Sequence, residues 1–350
     1  MNGSRNYWPI AAAVIAALSA IIVLPVIYDE YALLQLTIYA ILSVLALSLA
    51  FIWGYGGILS FGHAVFFGLG AYTYAIGAMN FGETTIALLL SMVIPALFAA
   101  ALGYFLFYGR ISDVYLGAIT LTVTLIFFDL ASSTSGPQYR IGQVALGGFN
   151  GIPSIPQLNV PGFPDWTLST TELFILSVAI LALVYISLRL LISSDFGRVV
   201  IAIKENEVRA ELLGYDARKY KLVTFVIGGA IAGLAGCLFA NWGGFTSPAV
   251  FALGQSVQII IWMVVGGVGT LAGPVIGCVL MQWLTSSLAS FGTVNNNLVL
   301  GGILVIVVLL LPQGLVPTIA RLARGRRPVQ RLDATAGALG ATPAKSEVGA

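Results

Sequence analysis

Nine of the chain's thirty charged residues crowd into twenty-two positions, IAIKENEVRAELLGYDARKYKL at 201–222. Elsewhere the groups able to do polar chemistry are sparse: one histidine, His63, and two cysteines, Cys237 and Cys278. A lone imidazole at the head of an apolar run could relay protons. With no acidic partner nearby in sequence, a hydrogen-bonded structural role is the stronger reading of His63. Both cysteines lie inside apolar runs, which reads as small buried hydrophobes and not as a disulfide framework. Cys/His metal spacing, a G-x-S-x-G elbow and a G-x-x-x-x-G-K-[ST] phosphate loop are all missing from the sequence. The expectation is a protein that is not an enzyme, with no metal and no cofactor. If ATP energises its work, the energy arrives from another protein.

The charged insert is then a candidate docking element. Residues Ala202 to Leu213 are rich in Ala, Glu, Lys, Arg and Leu, a helix-favouring composition, and Gly214 supplies a C-terminal stop. Ile201, Ala202, Val208, Leu212 and Leu213 form a partly apolar face, opposite Lys204, Glu205, Glu207, Arg209 and Glu211. A helix lying on lipid headgroups would carry a basic excess, whereas this one is mixed in sign. A groove on a partner protein is the better match.

What must position these residues is a membrane. The chain is 59% hydrophobic and 9% charged, with 40 glycines. So little polar surface cannot cover a soluble core of 350 residues. Apolar runs near 9–27, 33–53, 64–80, 85–108, 114–131, 172–192, 222–241, 255–288 and 297–313 approach the roughly 20 residues that a span requires. The first run is long for a signal-peptide core and has no A-x-A-like site after it, so it reads as a retained span. The run 255–288 is too long for one upright span, and GGVGTLAGP (266–274) breaks it into two short passes. The expected fold is all-α and polytopic, with about ten spans, eight to ten if 255–288 is a re-entrant pair.

Six of the sixteen basic residues lie in 193–221 and six more in the tail, Arg321, Arg324, Arg326, Arg327, Arg331 and Lys345. Basic loops stay cytoplasmic, so the insert 193–221 and both termini are expected inside, and the loop 132–171 outside. The chain reads as one membrane domain, 1–320, with a cytoplasmic insert. A basic, then small-residue tail, 321–350, has a disordered composition.

Two stretches interrupt the apolar pattern without adding charge: WGYGGILSFGHAVFFGLGAY (53–72) and WGGFTSPAVFALGQS (242–256). Glycine at membrane depth lets helices approach closely, or lets the backbone leave helical geometry beside a cavity. Both clusters begin Trp-Gly, and they follow the second and seventh spans, which run in opposite directions. An inverted repeat with broken helices around a central path would look like this. Candidate path residues are Gly56, Gly57, Ser60 and His63, with Gly266 and Gly267.

ENEVRAELLG, followed by YDARKYKLVTFVIGGAIAGLAGCLFA, resembles the cytoplasmic loop and following span of LivM-type permeases of branched-chain amino acid ABC transporters. GYGGILSFGHAVFFGLGAY (54–72), LGGFNGIPSIP (146–156), SPAVFALGQSVQIIIWMVVGGVGTLAGPVIG (247–277) and LPQGL (311–315) resemble the same family in the same order. The resemblance spans roughly 33–320. It implies a permease in the bacterial inner membrane, paired with a LivH-type permease. Two cytoplasmic ATPase subunits and an external substrate-binding protein would complete the importer; the lipid bilayer is the surrounding partner and nucleic acid is not one. The insert would be the coupling helix that enters the ATPase. The general motif there is Glu-Ala-Ala, three residues, then Gly; Val208-Arg209-Ala210 and Gly214 take those places, with Glu207 one step earlier. Lys204, Glu205, Glu207, Arg209, Ala210, Leu213 and Gly214 are the ATPase-coupling candidates. Relatives within the family carry urea, short amides or other amino acids. From other classes, a self-sufficient secondary carrier or channel, or a scaffold, stays open on composition alone.

Overall fold

The computed structural model describes residues 8–160, 163–289, 301–302 and 314–323. Seven helices in it are long and apolar enough to cross a bilayer: α1 (Trp8–Ile27), α2 (Glu30–Leu49), α3 (Ala64–Phe81), α4 (Thr84–Tyr108), α5 (Asp113–Ser133), α6 (Thr170–Ser193) and α9 (Ala217–Gly243). A π-helical turn, Ala50–Tyr55, prolongs α2. Two short helices, α7 (Asp195–Glu205) and α8 (Glu207–Leu212), occupy the insert. The apolar run 255–288 divides as expected, into α10 (Leu253–Gly266) and α11 (Ala272–Ala289), turning through Gly267 and Gly269. A last helix covers Leu315–Ala323. The expected span 297–313 falls outside the described residues apart from Gly301 and Gly302, and so does the tail beyond Ala323. The protein is thus a mostly helical, polytopic membrane protein.

Local chemistry sets the helix starts. The Asp29 side chain accepts the Ala32 amide at the head of α2, and Ser169 and Glu172 close a reciprocal capping box on α6. α2 is the central post: from Thr37 to Ile52 every residue is buried. It packs on α6, α9, α10 and α11, while α9 lies against α3 and α4. The α3–α9 crossing is close because Gly70 faces Gly233 backbone to backbone. α1 lies at the periphery against α6, with no buried residue and with Ile22 and Val26 facing outward. Outward Leu and Val are what hydrocarbon solvent permits.

One expectation needs correction. The connection 134–169 is not featureless in an all-α fold. It holds two small antiparallel hairpins, β1 (Arg140–Ile141) with β2 (Val144–Ala145), and β3 (Asn159–Val160) with β4 (Phe163–Thr167). Strands this short leave no two-residue periodicity to read. The loop is clamped to the helix ends nonetheless. Tyr74 donates to the Pro156 carbonyl at 2.9 Å, and Asn80 holds the Ile141 carbonyl and the Gln143 amide. The Asn159 side-chain oxygen accepts the Thr84 backbone amide at 3.1 Å and also the Thr84 hydroxyl, while the Asn159 backbone N–H donates to that hydroxyl at 2.9 Å. The pair is buried, so Asn159→Ala strands the Thr84 amide. A loss of about 1–3 kcal/mol is expected, read as a lower melting temperature in detergent; an unchanged melt would show that water replaces the asparagine.

Candidate functional site: the broken helices and the charged insert

Two irregular stretches interrupt the helices. After the π turn the chain leaves helical geometry at Gly57 (φ 70°), runs irregularly to His63 and then starts α3. A π bulge often marks a functional position. The second interruption follows α9, where residues 244–252 pass through a 3₁₀ turn, Pro248–Phe251, before α10 begins. Both irregular stretches turn back into the body of the protein. Thr124, eleven residues into α5, donates to the Gly62 carbonyl at 2.8 Å, and Ser48 on α2 lies 2.6 Å from His63 Nε2. From the other side the Phe251 ring packs on Gly68 of α3 and faces Phe127 of α5.

The Ser48 contact fixes the imidazole. Its hydroxyl proton goes to the Leu45 carbonyl at 2.6 Å, so Ser48 Oγ accepts and Nε2 of His63 donates. Nδ1 is then a bare acceptor, buried without a partner, and the Ser60 hydroxyl is equally buried and unpaired. Ser256 Oγ on the first turn of α10 and Tyr72 on α3 are also buried without partners. Buried polar groups are normally paired, and these join others without partners in the interior, such as Ser177 and Thr246.

The sequence candidates fall into three places. Gly56 and Gly57 sit at the insert end, Gly56 against Thr224 of α9 and Gly57 against the Lys204 stem. Gly266 and Gly267 close the α10–α11 turn against Gly273 and Gly314, and Gly269 lies beside Gly54, so the two glycine segments are neighbours. Ser60 and His63 lie deeper, 0 and 1% exposed. Sequence reasoning did not mark Ser48 or Thr124; a serine fifteen residues before the histidine leaves no periodic signal.

The insert is not the single helix 202–213 expected from composition. Asn206 breaks it, with extended backbone (φ −159°, ψ 100°), and its side chain accepts the Arg209 amide at 2.8 Å. Asparagine prefers a cap to a helix interior because its amide competes for backbone donors. Ile203, Ala210 and Ala217 form a small core beneath the two helices, and Glu207 pairs with Lys221 of α9 at 2.6 Å. The apolar residues of α8 and its end point away from that core: Val208, Leu212 and Leu213 are 67, 84 and 72% exposed. Glu205, Arg209, Glu211 and Gly214 are exposed around them. Lys204 is exposed along part of its length, but its ammonium reaches the Gly54 carbonyl at 2.7 Å.

No group of His, Cys, Asp or Glu able to hold a metal occurs among the described residues, and both cysteines are free and buried. A polytopic helical body with helices broken in its core and an exposed apolar patch on its charged insert is the build of a membrane permease. Residues 31–309 match the family model of branched-chain amino acid transport system permease components, and the chain belongs to that family. It is 29% identical over 309 residues to the high-affinity branched-chain amino acid permease protein LivM of Escherichia coli K12, covering 80% of this chain and 69% of LivM. BraD of Pseudomonas aeruginosa is 25% identical over 293 residues, 80% of this chain and 92% of BraD. LivH of Escherichia coli K12 is 30% identical over 123 residues, 35% of this chain and 40% of LivH. No solved structure matches. The protein is therefore the permease component of an ABC transport system, a transport protein and not an enzyme.

Proposed function

We propose that this chain forms half of the translocation path for leucine, isoleucine and valine in an ABC importer of the inner membrane. An external binding protein delivers the amino acid, a LivH-type permease supplies the other half, and two cytoplasmic ATPases complete the importer, one of them docked on the insert. In this reading the insert and both termini are cytoplasmic and residues 134–169 are external. α10 and α11, at about 1.5 Å per residue, reach about 21 and 27 Å. They complete about ten passes as a pair of short spans. The two broken elements are inverted counterparts, and Gly56, Gly57, Ser60, His63, Gly266 and Gly267 flank the path between them.

The observation that carries the reading is the patch of Val208, Leu212 and Leu213, apolar yet exposed, ringed by Arg209 and Glu211 beyond the end of the bundle. A core cut open this way fits a protein groove. ATP binding would draw the ATPases together and move the insert, shifting the path between inward- and outward-open states by the difference in docking energy between them.

Leu212→Cys tests it. Cys237 and Cys278 are buried, so the new thiol is the accessible one. In native membranes a maleimide–benzophenone placed on it is expected, on irradiation, to join it to a nucleotide-binding subunit by insertion into a C–H bond, while Leu183→Cys on the outer face of α6 gives no such product. Failure to recover an ATPase from Leu212→Cys would remove the docking role from the insert.

A further inference from the structure

We infer that Lys204 is the positioning residue that carries movement of the insert into the broken helix, and so to Ser60 and His63. The inference rests on the docking role proposed above. Gly54 lies near the end of the π turn, where a continuing helix would give its carbonyl a backbone donor. The chain turns away at Gly57 instead, and the backbone amides that follow are spent on other carbonyls: Gly56 on Phe51, Gly57 on Trp53 and Ile58 on Ile52. The Lys204 ammonium caps Gly54 from outside the helix, at 2.7 Å, and a cation at this end also meets the negative pole of the helix dipole.

The stem of the same lysine is packed on the hinge. A Cβ at Gly57 would meet Lys204 Cγ at 2.9 Å and Cβ at 3.3 Å. One side chain therefore holds both a carbonyl in the final turn of the broken helix and the glycine at which the chain departs from it. Beyond that glycine lie Ser60 and His63. On the other side, Lys204 stands two residues before the Asn206 break and the helix that presents Leu212 and Leu213. The second polar tie of the insert, Glu207 with Lys221, ends on α9, which meets the turn through the Thr224 methyl against Gly56 and not through a hydrogen bond to Gly54. A displacement of α8 thus reaches the 54–57 turn through the end of α7 and this lysine.

The test is made in the reconstituted importer, with the partner permease, the ATPases and the binding protein, by measuring docking, ATP hydrolysis and labelled leucine uptake together. Lys204→Met keeps the stem and removes the donor. Expected are ATPase recovery and hydrolysis within about twofold of wild type, with leucine carried per ATP falling at least about tenfold. Lys204→Arg, which still donates, is expected to restore most of that ratio. A merely structural lysine would lower docking, hydrolysis and uptake in step, and could not split them. If Lys204→Met does not accumulate, Lys204→Leu takes its place, since it keeps an apolar stem without the donor; the same loss of coupling is expected. Wild-type stoichiometry in Lys204→Met overturns the inference and leaves the docking role intact. Loss of docking in a folded Lys204→Met overturns it too, by making the lysine an ATPase contact. If wild type itself recruits no ATPase, the docking role has failed first.

Discussion

Exchanging Leu212 and Leu213 together for glutamate is expected to reduce ATP-driven uptake at least about a hundredfold while leaving the isolated protein folded. The two side chains are 84 and 72% exposed in the single chain, so their folded-state contacts are few. Surface exchanges of this kind shift stability by about 0.5 kcal/mol or less. Docking is different. Burying a leucine contributes about 1.5–3 kcal/mol, so the pair is worth about 3–6 kcal/mol in a closed apolar interface. Two carboxylates in the same groove would add a desolvation cost. At about 1.4 kcal/mol per tenfold, the lost contacts alone weaken association by two orders of magnitude or more. Uptake in proteoliposomes and the melting temperature in detergent read the two halves separately. Full uptake by a well-folded double variant would place the ATPase contact elsewhere; lost uptake with a collapsed melt would mean that the leucines support the insert.

How much of this was legible in the sequence differs by element, for physical reasons. Bilayer spans are written in composition, because every residue of a spanning helix meets hydrocarbon or another helix. Hence the runs read at 64–80 and 85–108 fall within a residue or two of α3 and α4. The break at 266–274 was equally plain, since Gly267 and Gly269 take positive φ and few other residues would. The exposed apolar patch was half legible. Composition marked Val208, Leu212 and Leu213 as apolar neighbours of charge, but not that Asn206 would end one helix and cap the next. That outcome turns on one side-chain hydrogen bond, to the Arg209 amide. Least legible was the interior. The hydrogen bonds of Ser48 to His63 and of Lys204 to Gly54 join residues 15 and 150 positions apart, and no local pattern encodes such pairs. The hairpins of residues 140–167 were missed because strands of two to five residues are held by contacts such as Asn159 with Thr84, not by their own periodicity.

The close crossing of α3 and α9 leads to the other large effect. Gly70→Val is expected to prevent accumulation of folded protein. In lipid the helices gain nothing from the hydrophobic effect against each other, so their association rests on van der Waals fit and on small residues that let backbones approach. Here the approach is extreme: a Cβ at Gly70 would fall 2.6 Å from the carbonyl carbon of Gly233, which is backbone and cannot rotate aside. Gly233 is pinned in turn against Pro95 of α4, whose ring would meet its own added Cβ at 2.6 Å, so α9 has no free direction in which to retreat. Overpacking an ordinary core costs about 1–3 kcal/mol because side chains yield. With backbone on both sides the cost should exceed about 4 kcal/mol, the range reserved for a disrupted core, against a total stability of about 5–15 kcal/mol. Gly254→Ala on α10 is the matched control, since a Cβ there meets nothing within 4 Å, and it should behave as wild type. Size-exclusion profiles and melts of the two variants in the same detergent decide the matter. A monodisperse Gly70→Val protein melting with wild type would mean that α3 and α9 can part without loss. The close α3–α9 packing at Gly70 and Gly233 would then be dispensable to the fold instead of a fixed part of it.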